Sequence, residues 1–234
     1  MIRGRGIAAV SVALGLAMFQ PARAGGPSAE EVIRKVDAIR NPSESYEMKV
    51  RIGESEFLAR ISGNDKTLVK TLEPARDRGR DLLMMGEEMW AYIPNLKRSV
   101  RVSLSQKLTG QAANGDISRM RWAEDYSSRI EKDEPTEWVL ALEARKKGLT
   151  YERLRVWVSK KDFRPVRAEY LTASGKVLKR ARFEGYQQMA GRLRPTRLEI
   201  ESAVNATDRS TLIVESMVPK ALPASLFNPQ RLGQ

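Results

Sequence analysis

The sequence predicts an α+β protein in which one large, strongly curved antiparallel sheet has short helices covering its concave face. Three observations predict this class. A single helix signal follows residue 25, apolar and polar residues then alternate over most of the chain, and one polar segment interrupts the alternation near the middle. Because strand twist accumulates from strand to strand, a sheet of this size must curl, and we expect it to enclose an apolar cleft.

The composition excludes several classes of function. The chain has 234 residues, with 41 Lys and Arg against 29 Asp and Glu, and it contains no Cys and no His. Ser-His-Asp triads, Cys-His pairs, thiolate or imidazole zinc sites and disulfides are therefore excluded. We expect no catalytic residue, no metal site and no cofactor. This balance favours a protein that binds its ligand without transforming it.

Residues 1–24 have the layout of a secretory signal. Arg3 and Arg5 precede the apolar run 7–19, and residues 22–24 have the small-x-small form of a cleavage site. The run of 13 residues is shorter than the roughly 20 that span a bilayer, which disfavours the alternative of an uncleaved anchor. We therefore expect a signal peptide over 1–24, a single mature domain over 25–234, and a periplasmic location.

The mature chain begins with a helix and continues as strands. Ser28 and Glu31 have the spacing of a capping box, which predicts a helix over 29–40 that ends before Asn41-Pro42. The polar segment 105–116 predicts a break, with Asp116 as the cap of a short helix that reaches Glu124. Alternation predicts strands over 46–52, 57–61, 66–72, 82–85, 89–93, 100–104, 128–131, 138–144, 151–158, 166–172, 177–186, 193–201 and 209–218.

The segment from Asp81 to Val102 resembles the central signature of the LolA-like outer-membrane lipoprotein-sorting proteins. It contains Asp-Leu-Leu at 81–83, Met-Trp-Ala-Tyr-Ile-Pro at 89–94, the basic pair at 97–98 and Val-Arg-Val at 100–102. The Gly-containing loop at 109–110 and the acidic segment 124–126 follow in the order of that family. The resemblance implies a half-barrel of about eleven strands, with a helical lid over a hydrophobic cavity for acyl chains.

The residues that we expect to line this cavity are mostly methionines, because Met is unbranched and repacks around ligands of variable shape. Trp90 and Tyr92 share one face of their strand and are candidates for a cavity wall. The alternative is ordinary core packing for all of these side chains, and alternation does not decide which face is inward at Met84-Met85, where both faces are apolar. The candidates are Met48, Val50, Met84, Met85, Met89, Trp90, Tyr92 and Met120.

The resemblance also implies partners, namely a lipid acyl chain or lipoprotein as cargo and an inner-membrane exporter that loads it. The sequence has basic clusters at 97–101, 145–147, 160–161, 179–182 and 192–197. They are either a solvated face or a surface that attracts anionic lipid headgroups or an acidic exporter. An exported protein without a reader motif is not expected to bind nucleic acid. We expect a monomeric periplasmic carrier that moves this cargo between the inner and outer membranes. The alternative is an envelope sensor or adaptor that binds a protein segment or a lipid signal without transporting it.

Overall fold

A computed structural model describes residues 25–119 and 121–233 of the chain, so the predicted signal peptide lies outside the described residues. Helix α1 spans Ala29–Arg40, as predicted. The Ser28 hydroxyl accepts a hydrogen bond from the Glu31 backbone N–H at 3.1 Å and so caps its first turn. The Glu31 carboxylate pairs with Lys35 at 2.8 Å, one turn further along the helix.

Fifteen strands follow in the described residues, and each predicted strand overlaps an observed one, although the strand predicted over 100–104 lies earlier, at 98–101. They are β1 Tyr46–Ile52, β2 Ser55–Ser62, β3 Lys66–Glu73, β4 Leu82–Met85, β5 Glu88–Ile93, β6 Arg98–Arg101, β7 Lys107–Thr109, β8 Ala112–Ala113, β9 Tyr126–Asp133, β10 Glu137–Ala144, β11 Arg153–Ser159, β12 Pro165–Leu171, β13 Val177–Met189, β14 Arg192–Ser202 and β15 Arg209–Pro219.

Thirteen of these strands form one sheet in the order β6-β5-β4-β3-β2-β1-β15-β14-β13-β12-β11-β10-β9. Neighbouring strands are antiparallel throughout, and the two terminal strands, β6 and β9, do not pair with each other in the described residues. The predicted class, an open antiparallel sheet with few helices, is confirmed. The sheet has thirteen strands where about eleven were expected.

The segment that interrupts the sheet forms a small separate unit. Strands β7 and β8 pair with each other, and α2 spans Asn114–Ser118. The predicted helix start at Asp116 was wrong, because Asp116 lies inside α2 and its Oδ2 accepts a hydrogen bond from the Ala113 backbone N–H at 2.8 Å. The helix ends at Ser118, well before the predicted end at Glu124. At this end the Ser118 carbonyl accepts a hydrogen bond from Thr67 Oγ1 at 2.7 Å. We call residues 107–118 the lid segment.

The lid segment lies on the concave side of a strongly curved sheet. Thr67 on β3 bonds the carbonyl of Ser118, while Lys179 on β13 lies 3.2 Å from Asp116. Strands β3 and β13 are five places apart in the sheet, yet a helix of five residues contacts both. The sheet must therefore wrap around α2.

The buried apolar residues form three clusters. The first lies under the lid segment between β1–β5 and β14–β15, and the second lies between α1 and β9–β13. The third lies on the opposite face of β3–β5, where Phe227 and Leu232 of the C-terminal segment 222–232 cover Leu68 and Leu83. Both faces of β4 are therefore buried, which explains why its sequence is apolar without alternation.

Candidate functional site

An apolar pocket of about 360 Å³ opens beside the lid segment. Its walls come from strands β2 to β7, and polar side chains lie around it. A pocket of this volume falls in the range that takes small-molecule ligands. The apolar lining side chains are Phe57, Leu82, Ala91, Ile93, Val100, Val102 and Leu108, and the polar ones include Asp77, Arg80 and Lys107.

The pocket is continuous with the first apolar cluster, which contains half of the residues predicted to line the cavity. Met48, Val50, Met84 and Met89 belong to that cluster together with the lining residue Phe57. Each of the four is at most 3% exposed, so they pack beneath the pocket and do not form its wall. The structure thus brings these four residues together on the concave side of the sheet.

Three other predicted residues lie on the opposite face. Met85, Trp90 and Tyr92 pack against the third cluster, under Phe227 of the C-terminal segment. The expectation that they share a cavity with Met84 and Met89 needs correction, because successive strand residues point to opposite faces and the sheet lies between the two sets. The last predicted residue, Met120, lies outside the described residues.

Hydrogen bonds that the turn between β7 and β8 donates to β15 and to the loop before β15 hold this turn in place. The Gln111 backbone N–H donates to Ser210 Oγ at 2.8 Å, and its side-chain amide donates to Asp208 Oδ2 at 2.5 Å. Gly110 has a positive φ of 52°, and a Cβ built there would lie 2.2 Å from Ser210 Oγ. Only glycine fits this close approach.

A buried polar network holds the other end of the lid segment. The Tyr151 hydroxyl donates to the Asp116 carboxylate at 2.8 and 3.0 Å, and Lys179 Nζ donates to the Gln111 carbonyl at 2.6 Å as well as to Asp116. Burial, followed by the charge of Asp116, raises the pKa of Tyr151 well above its usual value. The hydroxyl therefore stays protonated and remains a hydrogen-bond donor.

A second polar group fixes the segment that follows α2. Asp37 on α1 accepts hydrogen bonds from the backbone N–H groups of Trp122 and Ala123 at 2.7 and 2.8 Å through its Oδ2 atom. Its Oδ1 atom lies 3.7 Å from Nη1 of Arg40, and both of these atoms lack a hydrogen bond. Burial raises the pKa of Asp37 to about 6, against the opposing effect of Arg40.

Sequence reasoning missed this polar interior. Asp37, Arg40 and Lys179 are each at most 8% exposed, although charged residues are almost never buried unless they are paired. The sequence gives little indication that these charges are buried, since Arg40 is simply the last residue of an amphipathic helix. In the described residues, no cluster of three or more carboxylates is arranged to hold a metal ion, and no helix is long and apolar enough to cross a membrane.

Comparisons with known proteins agree with this architecture. A family model described only as that of an uncharacterized protein matches residues 63–234. No curated protein matches the chain. Among solved structures, a LolA superfamily protein from Nitrosomonas europaea is similar at 32% identity with a TM-score of 0.82, covering 88% of this chain and 100% of that chain.

Two more distant structures share the fold. A proposed outer membrane lipoprotein-sorting protein domain from Vibrio parahaemolyticus is 22% identical with a TM-score of 0.72, over 88% of this chain and 98% of that chain. A DUF1329 family protein from Desulfovibrio piger is 19% identical with a TM-score of 0.71, over 87% and 97% of the two chains. At these identities the likeness concerns the fold alone.

Proposed function

This chain belongs to the LolA superfamily, and on that basis we propose that it is a periplasmic carrier of lipids or lipoproteins. The acyl chains of the cargo would lie in the apolar pocket beside the lid segment, an inner-membrane exporter would load them, and the carrier would act as a monomer. The observation that carries the proposal is the pocket itself, which joins apolar side chains of five strands on the concave side of the sheet.

Energetics support a sheltered cargo. Each CH₂ group removed from water contributes about 0.8 kcal/mol, so a long acyl chain left in water costs on the order of 10 kcal/mol. A carrier must offset most of this cost and still release the cargo. Strand β7, part of the lid segment, forms one wall of the pocket through Leu108, which is half-buried. Movement of this segment would therefore open the pocket without disturbing the large sheet.

The test is binding of a fluorescent fatty acid, 11-(dansylamino)undecanoic acid, to the purified protein. We expect Leu108→Asp to weaken binding by about tenfold or more, because it places a charge in the pocket wall. The matched control is Leu96→Asp, the same substitution at a leucine that is 54% exposed in the turn between β5 and β6 and does not line the pocket. Equal affinities for the two variants would count against the pocket as the site.

A further inference from the structure

Another pocket, of about 370 Å³, lies at the C-terminal end of α1. Its other walls come from residues 41–44, from residues 121–124 after α2, and from the turn between β13 and β14. No residue that lines this pocket also lines the apolar pocket beside the lid segment. Arginines from separate parts of the chain meet in it, and we call it the arginine pocket. They are Arg34, Arg121, Arg192 and Arg194.

Arg194 is a buried cation without a carboxylate partner. It is 2% exposed, and in the described residues its guanidinium group forms no ion pair. Its hydrogen bonds, at 2.9 to 3.3 Å, go to backbone carbonyls, those of Ala38, Ile39, Met189 and Ala190. The first two belong to the last turn of α1, and the end of a helix carries only about half a negative charge. The charge of Arg194 is therefore compensated only in part.

The other fully buried cations of the described residues each have a carboxylate beside them. Arg40 Nη1 lies 3.7 Å from Asp37 Oδ1. Lys179 Nζ lies 3.2 Å from Asp116 Oδ2. Because a buried charge is rarely left without an opposite charge, the contrast indicates that the counter-ion of Arg194 comes from outside the chain.

The other three arginines of the pocket are available to a ligand. Arg34 and Arg192 are exposed, Arg121 is partly buried, and none of the three forms an ion pair in the part of the chain that the structure describes. Arg121 donates a hydrogen bond to the Pro42 carbonyl at 2.6 Å, which directs its guanidinium group to the wall of the pocket. Burial, followed by the charge of Arg192, lowers the pKa of Arg194, as expected where positive charges gather without an anion.

Three carboxylates also line the pocket, but they do not neutralise these arginines. Asp37 is buried beside Arg40, as described above. Glu124 accepts a hydrogen bond from Asn64 Nδ2 at 2.8 Å, and Glu44 is exposed. Neither glutamate forms an ion pair in the described residues. With Asp37 assigned to Arg40, four guanidinium groups lie opposite two exposed carboxylates, so the pocket has a positive excess.

We propose that the arginine pocket binds a phosphate-bearing molecule. A guanidinium group presents its N–H donors in a plane and binds two phosphate oxygens through parallel hydrogen bonds. The pocket is larger than a bare ion requires, and its volume fits a phosphate monoester or the phosphodiester headgroup of a lipid. The bound phosphate would supply the missing negative charge and join α1, residues 121–124 and the start of β14 through one ligand.

The test is isothermal titration calorimetry of the purified protein with two probes, inorganic phosphate and sn-glycero-3-phosphoglycerol. The second probe is the headgroup of phosphatidylglycerol without its acyl chains, so the apolar pocket does not contribute to its binding. We expect a Kd of about 1 mM or lower for at least one probe, in a chloride buffer of matched ionic strength. Binding of inorganic phosphate alone would identify a free phosphate or a monoester as the ligand. Binding of the phosphodiester, alone or in addition, would identify a lipid headgroup.

Matched variants assign the binding to this pocket. Arg192→Gln should weaken binding by about tenfold, because it removes charge-assisted hydrogen bonds to the phosphate, and Arg192→Lys, which keeps the charge, should lose less. The control is Arg98→Gln, since Arg98 is likewise an exposed arginine at the first residue of a strand but does not line the pocket. It should change the affinity by less than about twofold.

Urea denaturation of each variant without ligand should match that of the wild type, which separates lost binding from a folding defect. Absence of binding for both probes, or equal losses in Arg192→Gln and Arg98→Gln, would overturn the proposal. Neither probe has an acyl chain and the two pockets share no lining residue, so this failure would leave the carrier function unaffected.

Discussion

Lys179 Nζ lies 3.2 Å from Asp116 Oδ2, which joins strand β13 to helix α2 across the concave side of the sheet. The side chains are only 11 and 7% exposed, so solvent screens this pair little. The same ammonium group bonds the Gln111 carbonyl, and the Asp116 carboxylate also accepts from Tyr151. The pair is therefore the centre of the network that seats the lid segment.

Removing the cation should loosen that segment. Lys179→Met leaves the Asp116 charge buried without its partner, and we expect the free energy of unfolding to fall by about 2 to 4 kcal/mol. Urea denaturation measures the change, and stopped-flow fluorescence should show faster entry of the dansyl fatty acid. Lys176→Met, at an exposed turn position, is the control and should change stability by less than about 0.5 kcal/mol. Equal effects of the two substitutions would contradict the proposed role of the network.

The packing of α2 should also be sensitive to a larger side chain at Gly115. A Cβ at this position would lie 1.7 Å from Thr150 Oγ1, although the backbone of Gly115 is helical. We expect Gly115→Ala to lower the free energy of unfolding by about 1 to 3 kcal/mol, because α2 must move away from Thr150. Gly26→Ala is the matched control, since no heavy atom lies within 4 Å of a Cβ built there. A stable Gly115→Ala variant would show that α2 is loosely seated.

The outer face of β3–β5 should matter for stability but not for ligand binding. Phe227 is 4% exposed and packs with Leu83 and Trp90 on that face. Phe227→Ala should therefore cost about 3 to 5 kcal/mol in thermal or urea unfolding. Affinity for the dansyl fatty acid, measured where the variant remains folded, should stay within about twofold of the wild type, a change of less than 1 kcal/mol. A large loss of affinity would place the ligand on the outer face, with Trp90 and Tyr92.

Asp37 gives the protein a specific pH dependence. Burial raises its pKa to about 6 in the folded state, against about 3.9 when unfolded. Between these two pH values the folded state binds a proton at Asp37 that the unfolded state does not. The contribution of Asp37 protonation to the free energy of unfolding is therefore complete below about pH 4 and is lost as the pH rises through about 6.

The matched variant for this effect is Asp37→Asn. Because Asn does not titrate, the unfolding free energy of the wild type, minus that of the variant, should fall as the pH rises from 4 to 6 and become constant above pH 7. Urea denaturation at several pH values gives this difference. A difference that is constant or rises over the same pH range would contradict a raised pKa for Asp37.

Much of the fold could be predicted from the sequence because its signals are local. Helix α1 follows from Ser28 and the apolar spacing of its residues, and its predicted bounds match the structure. The strand positions follow from alternation, which is strong wherever one face of the sheet is buried and the other is in water. The signal peptide and the single domain over 25–234 remain predictions.

It could not be predicted from the sequence that the candidate site residues lie on two opposite faces of the sheet. Alternation identifies the buried face only when the other face is polar, and β4 is apolar on both faces because the C-terminal segment covers the outer one. The residue that covers this face is distant in the sequence, since Phe227 lies 144 residues after Leu83. The buried pair of Lys179 and Asp116 is likewise non-local, since nothing in the spacing of these residues links them.

The most direct test of the carrier function is mass spectrometry of an organic extract of the protein purified from the periplasm of its own host. We expect an acyl-bearing lipid or lipoprotein in a stoichiometric amount, and a marked reduction of it in Leu108→Asp but not in Leu96→Asp. An extract free of acyl-bearing molecules, together with no displacement of the dansyl fatty acid by lipid, would contradict it.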